Sequence, residues 1–236
     1  MTTVLIIGSG PNAVQATEWT KADWDHVVVI NNAWQVRPDW DVLICPDDFQ
    51  PHKRPKNLAA DQKIIGSSIY VPHQNAYGGF VYAGGTMAFT AGYWALSALK
   101  PSVIAMIGCD MIYAAQGPTH FYGTGTADPL RSDVTLRSLP AKSARLMALA
   151  ARSGCAMVNL SNDQSVLTFL RAQASTAAAH APLQHDARAV AAALQKEKDL
   201  GYYVPSGKYW KEESRFDPIE IDALDAMWLA TVQPLQ

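Results

Sequence analysis

The sequence predicts an α/β protein built on a doubly wound, mainly parallel sheet with a C-terminal helical appendix. Short apolar runs rich in Val and Ile recur along the chain, at residues 4–7, 27–30, 42–45, 64–71, 103–107 and 156–160. These runs are continuous rather than alternating, which is typical of strands covered on both faces. Helical patterns lie between them, and strands that alternate with helices favour a parallel, Rossmann-like arrangement.

Two helices of this sheet domain are well defined by their end signals. The first is predicted over residues 86–99, where Thr86 can cap the N-terminus. The second is predicted over residues 140–152. Pro140 suits a first helical turn, and Gly154 is a suitable C-terminal cap.

The chain is expected to divide at about residue 172. Residues 1–172 form the predicted Rossmann-like nucleotide-binding domain, and residues 173–236 form a linker and a helical appendix. The linker is rich in Ala, Ser, Thr and Pro. Beyond it, two amphipathic helices at 186–200 and 218–232 flank an aromatic segment at 201–210. An appendix this small has no core of its own, so it should pack on the sheet domain or on a partner subunit of a homo-oligomer.

Composition excludes several classes of protein. The chain has 236 residues, a net charge of −2, 49% hydrophobic residues and 17% charged residues, all typical of a globular protein. No basic field is present to bind nucleic acid, and no apolar run is long enough for a membrane span. Three cysteines without C-x-x-C spacing predict neither a disulfide framework nor a zinc site. We therefore expect a cytoplasmic protein.

The first candidate binding segment follows the first strand. Gly8-Ser9-Gly10-Pro11-Asn12-Ala13 matches the G-x-G-x-x-A pattern, in which glycines allow close backbone approach and a following helix offers N–H groups to an anion. The alternative is a tight strand-to-helix turn without a ligand.

Two further segments are candidates for ligand contacts. The second strand ends in Asn31-Asn32, where a dinucleotide-binding unit would carry a carboxylate for the ribose hydroxyls. The two amides can bind a sugar or base edge, or can simply form a turn. Gly84, Gly85 and Thr86 precede the helix at 86–99, and they predict either an anion-binding loop or an N-cap.

Candidate catalytic residues follow the strand at 103–107. Asp110 lies just beyond that strand, at the sheet edge where open α/β sheets bind ligands. His120 can exchange protons near neutral pH, and the hydroxyls of Tyr113 and Tyr122 can donate to phosphate oxygens. The alternative for His120 is a structural role.

The order of these segments carries a resemblance to a known family. GSGPN after the first strand, an Asn-ended second strand, a Gly-Thr helix and a strand ending in G-x-D resemble the bacterial CMP-sialic-acid-dependent sialyltransferases of lipo-oligosaccharide synthesis. The chain is similar also to the motility-accessory-factor proteins and archaeal pterin pyrophosphokinases of the same broad superfamily, as a divergent member. The resemblance covers about residues 3–167 and is most specific in AGGTMAFTAGYWALSALKPSVIAMIGCDMIY.

The resemblance implies a metal-independent, inverting transfer that needs no cofactor beyond the nucleotide sugar. A histidine takes the acceptor proton in that family, and two tyrosines steady the departing CMP phosphate. Tyr113 approximates the first tyrosine, although it stands one residue late relative to Asp110. Carried over by position, Tyr122 would be the second tyrosine, Asn31 a nucleotide contact, Ser9 and Asn12 phosphate neighbours, and Gly85 and Thr86 donor neighbours.

One departure from the family pattern leaves the chemistry open. Where the family has His before Ser, this chain has Leu136-Arg137-Ser138. Either His120 transfers the proton, or the protein does different chemistry in which Arg137 holds a phosphate or carboxylate. The alternatives to a glycosyltransferase are a pyrophosphokinase-like enzyme with Mg²⁺ on Asp110, Asp47 or Asp48, and a non-catalytic nucleotide-binding protein.

Overall fold

The computed structural model describes residues 1–126 and 128–232 and contains a seven-stranded, fully parallel sheet. The strand order across the sheet is β4-β3-β2-β1-β5-β6-β7. The strands are β1 (Thr3–Ile7), β2 (His26–Ile30), β3 (Val42–Ile44), β4 (Lys63–Ile65), β5 (Val103–Ile107), β6 (Ala156–Asn159) and β7 (Leu170–Arg171).

This strand order creates one reversal point. The chain runs outward from β1 to β4 and then returns to place β5 on the other side of β1. The two strands pair in register, with Ile7 opposite Ile107, so their following loops leave the sheet side by side. Open α/β sheets bind ligands at such a reversal, outside the carboxyl ends of the strands.

Helices cover both faces of the sheet, but the two faces differ. The six α-helices of the described residues all contribute to the core on one face, whereas short 3-10 helices and loops cover the other. Because successive strand residues point to opposite faces, Val4 and Ile6 pack in the α-helical core while Leu5 and Ile7 pack in the opposite one. The α-helices are α1 (Ser67–Asn75), α2 (Phe80–Ala83), α3 (Met87–Leu99), α4 (Leu139–Arg152), α5 (Ala187–Leu200) and α6 (Pro218–Ala230).

Side-chain caps explain where four of these helices begin. Thr86 accepts a hydrogen bond from the Phe89 amide at the start of α3. Ser138, Asp186 and Asp217 accept in the same way at the starts of α4, α5 and α6. Such oxygens satisfy amides that have no partner within the helix, so these polar residues fix the helix starts.

The α/β fold class, the parallel sheet and the C-terminal helices are confirmed, but the strand predicted at 64–71 is wrong. The apolar run at 64–71 is not one strand, since β4 ends at Ile65 and α1 begins at Ser67. The helix predicted after the first glycine-rich loop is present as a 3-10 helix, Pro11–Glu18. The predicted linker contains the 3-10 helix Ala174–Ala179, which buries Ala177 against the sheet.

The C-terminal helices pack on the sheet domain itself. Both α5 and α6 contact the rest of the protein through buried charges on α4: Arg145 pairs with Glu197 at 2.7 Å, and Lys142 pairs with Asp225 at 2.6 Å. Trp228 of α6 is also buried, at 1% exposure. Residues 173–232 are thereby fixed to the core of the first domain. In the described part of the chain, no helix has both the length and the apolar character needed to cross a membrane.

Candidate functional site

A cavity of about 1600 Å³ opens at the reversal point between β1 and β5. The loops after β1, β2, β3 and β5 line it, together with the start of α3 and residues 206–210 of the C-terminal segment. The cavity brings together twelve of the sequence-predicted site residues, namely Gly8, Ser9, Gly10, Asn12, Asn31, Asn32, Gly85, Thr86, Asp110, Tyr113, His120 and Tyr122.

Two of the predicted site residues have other contacts. Arg137 is exposed and forms a bidentate ion pair with Asp222 of α6, with N···O distances of 2.6 and 2.5 Å. Gly84 has a φ of +87°, and a Cβ there would lie 3.0 Å from side-chain atoms of Lys142 and Phe89. Arg137 is therefore paired with Asp222 on the surface, and Gly84 is required by local backbone geometry. Neither residue is among those that line the cavity.

The two glycines of the β1 loop let the backbone of the β5 loop approach closely, whereas the motif predicts the close approach of a ligand. The amides of Gly8 and Gly10 donate to the carbonyls of Ile107 and Gly108, each at 2.8 Å. A Cβ on Gly8 would lie 2.3 Å from the Gly108 carbonyl oxygen, and a Cβ on Gly10 would lie 2.9 Å from it. The glycines thus allow two loops to touch, and their amides are already engaged rather than offered to an anion.

Asn12 links three loops at the base of the cavity. Its Nδ2 lies 2.7 Å from Asp110 Oδ2, 2.8 Å from Ser161 Oγ and 2.9 Å from Asp163 Oδ2. Asp110 is held further by Asn159, whose Nδ2 donates to its Oδ1 at 3.2 Å. Asn12 is 8% exposed. Because its Nδ2 is committed to this network, Asn12 positions Asp110 rather than donating to a phosphate.

Asn31 combines backbone strain with an unpaired polar atom. Its φ is +52°, in the left-handed region that few residues other than glycine adopt, although asparagine tolerates it better than most. Its Oδ1 is buried, and no hydrogen-bond partner lies among the described residues. Strain and unsatisfied polar groups in a cavity wall are typical of functional positions.

His120, Tyr113 and Tyr122 form an aromatic cluster on a loop beside the β1 turn. The ring of His120 stacks on Tyr122 with centroids 5.0 Å apart and lies 6.0 Å from the ring of Tyr113. The Phe121 amide donates to the Ser9 carbonyl at 3.1 Å, which attaches this loop to the first glycine-rich loop. Burial lowers the pKa of His120 below its ordinary value. The imidazole is therefore neutral at neutral pH and able to accept a proton.

A second polar cluster lines the cavity and was not identified from the sequence. Tyr209 donates to Asp133 at 2.7 Å, and Arg131 contacts Asp133 at 2.8 Å and the Gly85 carbonyl at 3.0 Å. Burial raises the pKa of Asp133, but hydrogen bonds from Tyr209 and Thr135 outweigh that effect, so the pKa lies below its ordinary value. Asp133 is thus an anion in the folded protein, between a tyrosine and an arginine.

One local feature of the sequence indicates part of this cluster. Asp133 precedes Thr135 by two residues and accepts hydrogen bonds from its amide and hydroxyl, a local turn that short acidic side chains favour. Its contact with Tyr209 spans 76 residues and follows no local pattern. Of the aromatic segment at 201–210, residues 206–210 line the cavity.

Fold and cavity together define an α/β protein with a polar, aromatic-lined cavity at the reversal point of a parallel sheet. Comparisons with protein-family models, with curated proteins and with solved structures find no match for this chain.

Proposed function

We propose that this protein is a nucleotide-sugar-dependent glycosyltransferase of the sialyltransferase type, with a CMP-activated sugar as its donor. The observation that carries the proposal is the meeting of His120, Tyr113 and Tyr122 with the β1 loop in one cavity. Such a transfer requires a general base, hydroxyls that donate hydrogen bonds to the phosphate, and amides that face the nucleotide.

In this proposal the nucleotide lies along the β1 and β2 loops. The amides of Asn31 and Asn32 face the base or ribose, since an amide both donates and accepts hydrogen bonds. Asn31 is suited to this role because its Oδ1 has no partner among the described residues. The amides of Gly8 and Gly10, on either side of Ser9, already donate to backbone carbonyls. Ser9 therefore contributes its hydroxyl near the phosphate.

The transfer step is a single displacement. The acceptor hydroxyl attacks the anomeric carbon of the sugar, the bond from that carbon to the CMP phosphate oxygen breaks, and CMP leaves with the electron pair. His120 takes the hydroxyl proton, a role for which its lowered pKa keeps it neutral. The hydroxyls of Tyr113 and Tyr122 donate to the departing phosphate, where charge develops.

A direct test uses CMP binding and CMP-sugar turnover together. CMP at about 100 times its dissociation constant should stabilise the protein by about 2.7 kcal/mol in a thermal-shift measurement, without added metal. Replacing Asn31 by alanine should weaken this shift. Replacing His120 by asparagine should keep it while lowering transfer or donor hydrolysis about 10²–10⁴-fold. Parent protein that shows no CMP-dependent shift would reject the proposal.

A second candidate function is favoured by one observation. Asp110 and Asp163 both contact the same Asn12 amide, so two carboxylates converge beside the first loop. Paired carboxylates of this kind suit Mg²⁺ in a pyrophosphokinase-like phosphoryl transfer. No group of three His, Cys, Asp or Glu side chains that could hold a metal occurs within residues 1–126 and 128–232.

The same measurement separates these functions. A shift with ATP that requires Mg²⁺ would favour phosphoryl transfer, whereas a shift with CMP alone favours the glycosyltransferase. Nucleotide binding without turnover of any donor would favour a non-catalytic nucleotide-binding protein. Membership in the sialyltransferase and motility-accessory-factor superfamily, a cytoplasmic location and a homo-oligomeric state belong to this same proposal.

A further inference from the structure

Trp210 is a large aromatic side chain left exposed at the mouth of the cavity. It is 57% exposed, and it lines the cavity on the C-terminal segment, outside the part of the chain covered by the family resemblance. Aromatic rings supply large contact areas and are enriched at interfaces, so an exposed tryptophan on a cavity lining offers a ligand a contact surface.

The ring is held in place by its neighbour. Tyr209 is 4% exposed and its hydroxyl donates to Asp133 at 2.7 Å. The rings of Tyr209 and Trp210 meet edge to face, with centroids 5.5 Å apart and an interplanar angle of 79°. Because Tyr209 is anchored, this contact restricts the orientations open to the Trp210 ring, which reduces the entropy lost on binding.

The cavity has room for more than a nucleotide. Its volume of about 1600 Å³ exceeds the roughly 300–1000 Å³ of a site for one drug-sized ligand. The β1 and β2 loops and Trp210 all line this one cavity. The cavity therefore has space for a second ligand in addition to a nucleotide.

The polar groups around Trp210 suit hydroxyls. Lys208 and Glu213 also line the cavity, and neither makes an ion pair within the described residues. A cation supplies donors and a carboxylate supplies acceptors, and a sugar hydroxyl uses both. A pyranose presents an apolar C–H face between its hydroxyls, and that face packs on the indole ring.

We propose that Trp210, with Lys208 and Glu213, forms the acceptor subsite and binds a saccharide by stacking. The inference rests on the proposed function in treating this saccharide as the acceptor. The subsite itself is a separate claim, because sugar binding at Trp210 does not depend on which nucleotide the cavity also holds.

The test uses the full chain and simple methyl glycosides of glucose, galactose and N-acetylglucosamine. Saturation-transfer NMR measures their binding with and without CMP, and calorimetry measures CMP affinity. Four proteins are compared: the parent, Trp210→Ala, Trp210→Phe, and Ile219→Ala as the control. Ile219 is 77% exposed on the same appendix and is absent from the cavity lining. Circular dichroism confirms that each variant is folded.

We expect Trp210→Ala to weaken glycoside binding about tenfold or more, the effect of truncating an aromatic anchor at a binding surface. Trp210→Phe should retain part of the binding, and Ile219→Ala should match the parent. CMP affinity should change less than about twofold in each variant, far less than the tenfold loss expected for the glycosides.

Three results would overturn the subsite. They are a parent that binds none of the glycosides, a Trp210→Ala variant that binds them unchanged, and a Trp210→Ala variant that loses CMP affinity as strongly as glycoside affinity. The last would mean that the ring stacks on the nucleobase. A parent that binds glycosides through Trp210 but does not bind CMP would support the subsite and reject the proposed function.

Discussion

Replacing Arg145 by methionine should destabilise the protein by about 3–5 kcal/mol, the usual cost of removing one partner of a buried ion pair. Arg145 is 0% exposed, and its Nε and Nη2 contact the Glu197 carboxylate at 2.7 and 2.8 Å. Its Nη1 also donates to the Tyr93 hydroxyl at 2.7 Å. The substitution leaves Glu197 buried, with the Trp228 indole N–H, at 2.8 Å, as a remaining donor.

The expected loss of stability is large because water has little access to this network. Glu197 is 6% exposed in its side chain, so water cannot replace the lost cation without opening the packing of α4 against α5 and α6. Typical domains are stable by about 5–15 kcal/mol, so one such substitution removes a large share of the total. The double variant Arg145→Met with Glu197→Met removes both charges, and it should cost clearly less than the sum of the singles.

Urea denaturation followed by circular dichroism measures these differences, with Arg137→Met as the matched control. Arg137 forms a comparable bidentate pair with Asp222, but both side chains are exposed, at 41% and 50%. An exposed pair contributes little, so the control should keep the parent's midpoint. A cost below about 1 kcal/mol for Arg145→Met, or a double variant whose cost equals the sum of the singles, would refute the reasoning.

Three further predictions follow from the site. Gly8→Ala should lower the melting temperature markedly, because its Cβ would lie 2.3 Å from a backbone oxygen; an unchanged melting temperature would mean the two loops can separate freely. If His120 is the base, the rate should fall on acidification with an apparent pKa below 6.5, and an acid limb above that value would contradict it. Tyr209→Phe should cost about 1.5–3 kcal/mol in urea denaturation, the range for a hydrogen bond to a charged group. The stability contributed by Asp133 is present above its ordinary pKa of 3.8 and is lost as the pH falls through its lower folded value, so Tyr209→Phe should flatten that acid-side loss.

The strands could be predicted well where their sequence is uninterrupted. The apolar run at 103–107 coincides with β5 because its five residues are all buried between two cores. The prediction of one strand at 64–71 is wrong because Gly66 separates a strand from a helix within that run. That helix begins at Ser67, whose amide donates to Asp47 at 2.9 Å, and it contains Pro72, a residue that normally argues against a helix.

The site was predictable where it follows strands and unpredictable where it depends on the tail. Parallel strands bring their carboxyl ends to one edge, so the loops after β1, β2 and β5 could be expected to meet. No sequence rule pairs Arg137 with Asp222, which lies 85 residues away, or Asp133 with Tyr209. The pattern showed that α6 had an apolar face to bury, but the partners of its charges depend on tertiary packing.

The position of Tyr209 in the C-terminal segment has a consequence for how the protein folds during synthesis. Every described strand of the sheet precedes residue 172, whereas residues 206–210 of the cavity lining, together with α5 and α6, are synthesised afterwards. Domains fold from the N-terminus as they emerge, so the sheet can form while its cleft is still open. Until α5 and α6 dock, Lys142 and Arg145 have no counter-ions. We therefore expect nascent chains stalled before α5 to bind chaperones, and the complete cavity to appear only in the last step of folding.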